Sequence, residues 1–183
     1  MKNNNYSPLR YPGGKRRLVD FIKSIIDQNN LKGGTYIEPF SGGAAIALAL
    51  AIDGYMERVV INDYDRSVYA FWHSILHQTD SFINKIHNTP LSIEEWYAQR
   101  AIQQNKHNAD LFELGFSTFF LNRTNRSGVL KAGVIGGLNQ TGPYKIDARY
   151  NKEQLIERIQ LITQYKDKFI LHNDDAINLL HRH

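Results

Sequence analysis

The sequence predicts an α/β fold: a parallel sheet with helices on its faces and a mainly helical stretch inserted into it. Two observations carry that prediction. Helix-like and strand-like segments alternate through the first 77 residues, and after a long helical middle the apolar run Phe169-Ile170-Leu171 returns to strand character. Alternation of this kind belongs to βα units, whose helices cover a parallel sheet. The predicted organisation is a first α/β part over 1–77, a helical insertion over 78–150 and a return to the α/β unit over 151–183.

Local pattern justifies each element in turn. Leu18, Phe21, Ile22, Ile25 and Ile26 recur at helical spacing, which predicts an amphipathic helix from about Lys15 to Asn29, broken by Gly33-Gly34. Thr35-Tyr36-Ile37 reads as a strand, Ser41-Gly42-Gly43 opens a helix through Ile52, and Val59-Val60-Ile61 is a buried strand followed by a helix over 66–77. In the middle, 80–87 and 92–107 read as helices, the second opened by the capping box Ser92-x-x-Glu95. An aromatic-rich helix is predicted from Asp110 to about Leu121, and the stretch after it holds five of the 13 glycines. Leu155, Ile159 and Ile162 mark another helix, and 175–180 begins a last one.

Composition removes several function classes. Hydrophobic residues make up 42% and charged residues 22% of the 183, which is ordinary globular composition. The longest apolar run, Ala44 to Ile52, is too short to cross a bilayer, and no apolar segment follows Met1-Lys2-Asn3-Asn4-Asn5 as a signal peptide would need. The expected compartment is the cytoplasm. There are no cysteines, hence no disulfide framework, thiolate metal site or thiol nucleophile, and His181 and His183 have no metal spacing with any partner.

Charge is modest in total and uneven in distribution. The net charge is +4, yet residues 1–17 hold five bases (Lys2, Arg10, Lys15, Arg16, Arg17) and no acid. Residues 122–152 hold six bases (Arg123, Arg126, Lys131, Lys145, Arg149, Lys152) against Asp147 alone. Two basic segments on an acidic remainder suit a polyanionic partner, and equally suit two solvated loops.

Three motifs bear on chemistry. In Tyr36-Ile37-Glu38-Pro39-Phe40-Ser41-Gly42-Gly43-Ala44-Ala45, a strand feeds a glycine turn and then a helix, which lets backbone N–H groups approach a ligand. A tight turn needs small residues for its own sake as well. In Val59-Val60-Ile61-Asn62-Asp63, the acid ends a second strand about 20 positions after the glycine turn, where it can accept two ribose hydroxyls or cap the next helix. In Leu9-Arg10-Tyr11-Pro12-Gly13-Gly14-Lys15-Arg16-Arg17, a turn is followed by bases at a helix start, where they oppose the helix dipole. Lys15 therefore has a purpose other than helix stability, and a cation and an aromatic beside a turn can hold a carboxylate or phosphate.

Arg10-Tyr11-Pro12-Gly13-Gly14-Lys15, Glu38-Pro39-Phe40-Ser41-Gly42-Gly43, Asn62-Asp63, and Leu121-Asn122-Arg123-Thr124 with Ser127-Gly128 occur in that order over nearly all of the chain. Together they resemble the Dam-like DNA adenine methyltransferases. The resemblance implies transfer of a methyl group from S-adenosylmethionine to the exocyclic amine of adenine in double-stranded DNA, often in a restriction-modification setting. It implies a Rossmann-like methyltransferase sheet, here incomplete on its C-terminal side, with an inserted target-recognition part carrying a basic Gly-rich hairpin. By the same resemblance Tyr11 and Lys15 flank the methionine end of the cofactor. Glu38, Phe40, Ser41, Gly42 and Gly43 wrap it, Asp63 takes the ribose, and Asp175 (or its neighbour Asp174) takes the adenine amine. Arg123, Arg126, Ser127 and Lys131 fall in the DNA-binding hairpin.

One departure matters. The family's chemistry runs through Asp-Pro-Pro-Tyr after the Asp175 segment, and none of the five prolines here (Pro8, Pro12, Pro39, Pro90, Pro143) adjoins another. The expectation is a truncated form of a longer enzyme, with no catalytic residue to assign and no turnover by this chain alone. The alternative is a remnant that binds DNA or cofactor without catalysing. A nicotinamide dehydrogenase is a further reading, but Ala45 and Ala47 stand where its third fingerprint glycine belongs.

Overall fold

Three short strands with all-apolar centres form the sheet: β1 (Thr35–Glu38), β2 (Arg58–Asn62) and β3 (Phe169–His172), parallel and in the order β1-β2-β3. The computed structural model describes residues 6–11 and 13–182; Lys2, Pro12 and His183 lie outside them. β2 is central and buried from Val59 onward, which is why it reads as a continuous apolar run. Glu38 lies opposite Ile61, and Asn62 opposite His172, so the three strands end together. Ligands of open α/β sheets bind beyond such carboxyl ends.

The helices are α1 (Val19–Gln28), α2 (Ala45–Ile52), α3 (Arg66–His77), α4 (Thr79–Asn88), α5 (Ile93–Gln104), α6 (Leu111–Thr124), α7 (Lys152–Thr163) and α8 (Ala176–Leu180). Polar residues cap most of them as chain chemistry requires: Asp65, Ser92, Asp110, Asn151 and Asp175 each accept backbone N–H groups at the starts of α3, α5, α6, α7 and α8. α2 has no such cap. Its sequence, AIALALAI, is apolar on every side, and it lies buried against the sheet.

The predicted helix over Lys15–Asn29 begins as a 3-10 turn, Lys15–Leu18, before α1 takes over. The larger difference is α6, which continues past Leu121 to Thr124. Asn122, Arg123 and Thr124 read as a polar loop start, yet all three are buried, because the N-terminal stretch of chain runs across Asn122 and Arg123 and supplies their partners.

One apolar core runs from the sheet through α2 and α3 into α4, α5, α6 and α7, so the stretch 78–150 shares its core with the sheet. Phe82 of α4 meets Phe71, Phe116 and Phe119 edge-on, with centroids 5.9, 5.7 and 5.5 Å away. α3 and α6 approach closely at Gly115, where an added Cβ would lie 2.5 Å from the Ala70 carbonyl oxygen. No described helix is long and apolar enough to cross a membrane.

Candidate functional site

Beyond the carboxyl end of β1, the chain turns through Pro39–Gly43 with two residues in left-handed backbone, Gly42 at φ +47° and Ala44 at φ +49°. Gly42 is required there for a second reason: its Cβ would sit 2.8 Å from the Tyr11 ring. Tyr11 thus closes over the turn while remaining half exposed. The turn is held from below by Trp72, whose indole N–H donates to the Gly42 carbonyl at 2.9 Å.

Asp63 meets the turn from β2. Its Oδ2 accepts the Gly42 N–H at 2.8 Å and its Oδ1 the Asp65 N–H at 3.0 Å. Asp65, two residues on, is the N-cap of α3, which resolves the two readings of Asp63 against a capping role. Burial raises the pKa of Asp63, opposed by these two hydrogen bonds. A carboxylate has about four lone-pair sites, so each oxygen retains acceptor capacity after one bond.

Lys15 reaches across from the 3-10 turn. Its Nζ donates to Glu38 Oε1 at 3.3 Å and to the Phe40 carbonyl at 3.0 Å, which explains a cation at a helix start. An ammonium has three donors, so one remains for a ligand. Glu38 itself is 2% exposed, and its Oε2 accepts the Ala47 N–H at 3.1 Å. The strand carboxylate therefore caps α2 in place of the missing side-chain cap, at the favourable end of the helix dipole. Of the turn residues, Phe40 projects outward, 68% exposed, whereas Ser41 is buried and its Oγ finds no hydrogen-bond partner among the described residues.

Asn62 pins the strand ends together, a role that motif reading missed. Its Nδ2 donates to the Pro39 and Asp174 carbonyls at 2.9 and 3.0 Å, and its Oδ1 accepts the Asp174 N–H at 2.9 Å. Beyond β3, Asp174 pairs with Arg182, and Asp175 spends Oδ1 on the N–H groups of Ile177 and Asn178. Asp175 is thus the cap of α8, with Oδ2 left over in exposed surroundings.

The basic segments come together. Arg10 lies close enough to Arg149, and Arg158 to Arg16, for each pair to repel, and Arg123 feels both Arg158 and Arg10. Arg123 is not at the surface. It is 7% exposed, its Nε donates to the Pro8 carbonyl at 2.7 Å and its Nη2 to the same oxygen. Burial, then Arg158 and Arg10, lower its pKa to about 9. Arg123, expected in the DNA-binding hairpin, is carried inward by the helix, where it holds the N-terminal segment.

Arg126, Ser127 and Lys131 are exposed on the loop that follows α6. The loop is closed at its base by the antiparallel bridge Asn125↔Val134. It is organised from inside by Asn125, fully buried, which accepts from the Trp96 indole at 2.6 Å and donates to the Val129 and Leu130 carbonyls at 3.1 and 2.9 Å. Asn122 does the same for its neighbours, donating to the Arg10 and Gly128 carbonyls at 2.8 and 2.9 Å. Between this loop, Tyr11 and the start of α3 lies a cleft of about 810 Å³, bordered by Arg100, Lys106, His107 and Lys131. It adjoins the Gly42–Asp63 turn through Tyr11 and Asp65 without containing Glu38 or Asp63.

An acid with spare lone pairs, a spare ammonium donor and a buried hydroxyl without a partner among the described residues lie around a glycine turn that Tyr11 covers, a set that can hold a nucleoside bearing a carboxylate. Residues 11–183 match the family of D12 class N6 adenine-specific DNA methyltransferases. The type II methyltransferase M.MjaIII of Methanocaldococcus jannaschii is 24% identical over 171 aligned residues, which take in 86% of this chain. The alignment takes in 59% of that relative, so the chain spans about three fifths of its length. Because the family match extends over all but the first ten of the 183 residues, the chain belongs to the D12 class N6 adenine-specific DNA methyltransferase family.

Proposed function

We propose that these residues form the cofactor-binding and DNA-binding part of a site-specific adenine methyltransferase, located in the cytoplasm and acting on double-stranded DNA. The observation that carries the reading is the pairing of the Gly42 N–H with Asp63 Oδ2, which sets a ribose-type acceptor beside the glycine turn. S-adenosylmethionine fits the residues present: the buried Ser41 hydroxyl has no partner among the described residues, and Asp63 and Lys15 keep an acceptor and a donor beside the turn. When bound, it supplies an electrophilic sulfonium methyl group.

In this reading Asp63 accepts the ribose hydroxyls, the third N–H of Lys15 holds the methionine carboxylate, and Asp175 accepts the adenine amine through Oδ2. Tyr11 and Phe40 cover the turn. Glu38 acts indirectly, by fixing Lys15 and the start of α2. Arg126, Ser127 and Lys131 face the DNA, and the Arg10 and Arg149 pair adds positive potential beside them. The adenine amine is a weak nucleophile, and no residue among these 183 is assigned to drawing density toward it.

The test is photolabelling of the chain with tritiated S-adenosylmethionine. Labelling that S-adenosylhomocysteine competes away and NAD does not is the expected result. Competition by NAD instead would favour a dehydrogenase-type cofactor and remove the reading.

A further inference from the structure

The acid at the cofactor turn is not held by the sheet alone. Its second oxygen is fixed by the Asp65 N–H, and Asp65 is in turn held from the opposite side of the cleft. Lys106, on the chain between α5 and α6, donates from Nζ to Asp65 Oδ1 at 2.9 Å. The same oxygen accepts the Ser67 N–H at 3.0 Å, so the ammonium reinforces the cap of α3. Arg66, next to Asp65, reaches back. Its Nη1 donates to the Lys106 carbonyl at 2.6 Å, and both terminal nitrogens donate to the Ala109 carbonyl at 3.2 Å. The α5–α6 connection is therefore tied by three side chains to the two residues that follow Asp63 and Tyr64.

We propose that Lys106 is a positioning residue for the cofactor: through Asp65 it fixes the orientation of Asp63 and hence the Gly42 turn. The inference rests on the reading of Asp63 as the ribose acceptor and adds a residue some forty positions away in sequence, outside every motif. Asp65 is a stiff intermediary, because its backbone N–H serves Asp63 while its side chain serves both α3 and Lys106. When the Lys106 ammonium is removed, Asp65 keeps its cap bond to Ser67 but loses its tie to the α5–α6 connection, so the backbone that brings its N–H to Asp63 Oδ1 is held less firmly. Both partners line the cleft, so they are accessible to substitution without opening the core.

The experiment compares wild type with Lys106→Met, Lys106→Arg and a matched control, Lys85→Met. Lys85 makes a similarly short ion pair with Glu113, at 2.6 Å, and among the described residues its hydrogen bonds go to Glu113 alone. Both methionine variants remove one positive charge, so the net charge changes equally in the two, and Lys106→Arg separates the loss of charge beside Asp65 from the loss of the side chain. S-adenosylmethionine affinity by calorimetry should weaken by about three- to fivefold in Lys106→Met, as for a partly exposed charged contact. It should recover in Lys106→Arg and stay at the wild-type value in Lys85→Met. Amide hydrogen exchange of the ligand-free chain gives a second readout, with faster exchange at Gly42 and Asp65 expected in Lys106→Met only. Wild-type affinity and wild-type exchange in Lys106→Met would overturn the inference and leave the cofactor reading standing. Failure of the wild type to bind would overturn the cofactor reading, and the exchange comparison would still decide whether Lys106 holds the Asp63 turn.

Discussion

Gly42 and Asp63 are joined by a 2.8 Å hydrogen bond from backbone N–H to carboxylate, which links the turn after β1 to the end of β2. The bond needs Gly42 in left-handed backbone with the Tyr11 ring against its Cα. Gly42→Ala places a methyl group 2.8 Å from that ring, at a φ that side chains avoid. The expected result is a decrease of about 1–3 kcal/mol in stability, the range for strained backbone, accompanied by greater exposure of Tyr11. Urea denaturation and tyrosine fluorescence measure the two effects.

Glu38 gives a pH signature. Burial raises its pKa above 4.5 in the folded chain, despite the Ala47 N–H and Lys15 that pull it down. Between the unfolded value and the raised folded one, the folded state binds more protons than the unfolded state. Stability from this group therefore falls as pH rises through that window. Relative to Glu38→Gln, which keeps an acceptor for Ala47, wild type should lose stability as pH rises from 4.5. Parallel stability–pH curves for the two chains would contradict this.

Most elements are legible in the sequence because their signals are local. The all-apolar centres of β2 and α2, the helical spacing before Asn29 and the caps at Ser92 and Asp110 all act within a few residues. The residues that motif reading misses act over long separations. Asn62 joins Pro39 to Asp174, Asn122 binds Arg10, and Arg123 binds Pro8, 115 residues away. Polar side chains usually mark surface, and a buried one is recognisable only once its partner is known. That is why the pattern ends α6 at Leu121 and reads Arg123 as part of a loop, whereas the helix runs on to Thr124. For the same reason Asp63 stays open between ligand and cap until Asp65 is placed at the start of α3.

Arg123 and the exposed bases should behave differently. Arg123→Met leaves the Pro8 carbonyl without its donors, and should cost about 1–3 kcal/mol of stability without changing the salt dependence of DNA binding. Arg126→Ala with Lys131→Ala should leave stability unchanged. For every phosphate that the double variant no longer neutralises, the slope of log affinity against log salt should become shallower by about 0.9. Fluorescence anisotropy with a labelled duplex at several salt concentrations separates the two outcomes.

Methyl transfer needs acceptors at the adenine amine and a surface that stacks the extruded base. Tyr11, Lys15 and Asp63 are committed to the turn after β1, and Arg126 and Lys131 lie on the loop after α6. These 183 residues by themselves should yield no tritium transfer from labelled S-adenosylmethionine to an adenine-containing duplex. A chain that also carries an Asp-Pro-Pro-Tyr segment after β3 and α8 should yield it. Repeated turnover by the 183 residues would move the chemistry onto Asp63 or the Asp174-Asp175 pair.

Everything proposed for the cofactor depends on Asp63 accepting the ribose hydroxyls, and calorimetric titration of S-adenosylmethionine into wild type and Asp63→Ala decides that point. Wild type should bind, and the variant should bind more weakly by about 1.5–3 kcal/mol, the range for hydrogen bonds to a charged group. Equal affinity in the two chains would remove Asp63 from the site and contradict the assignment.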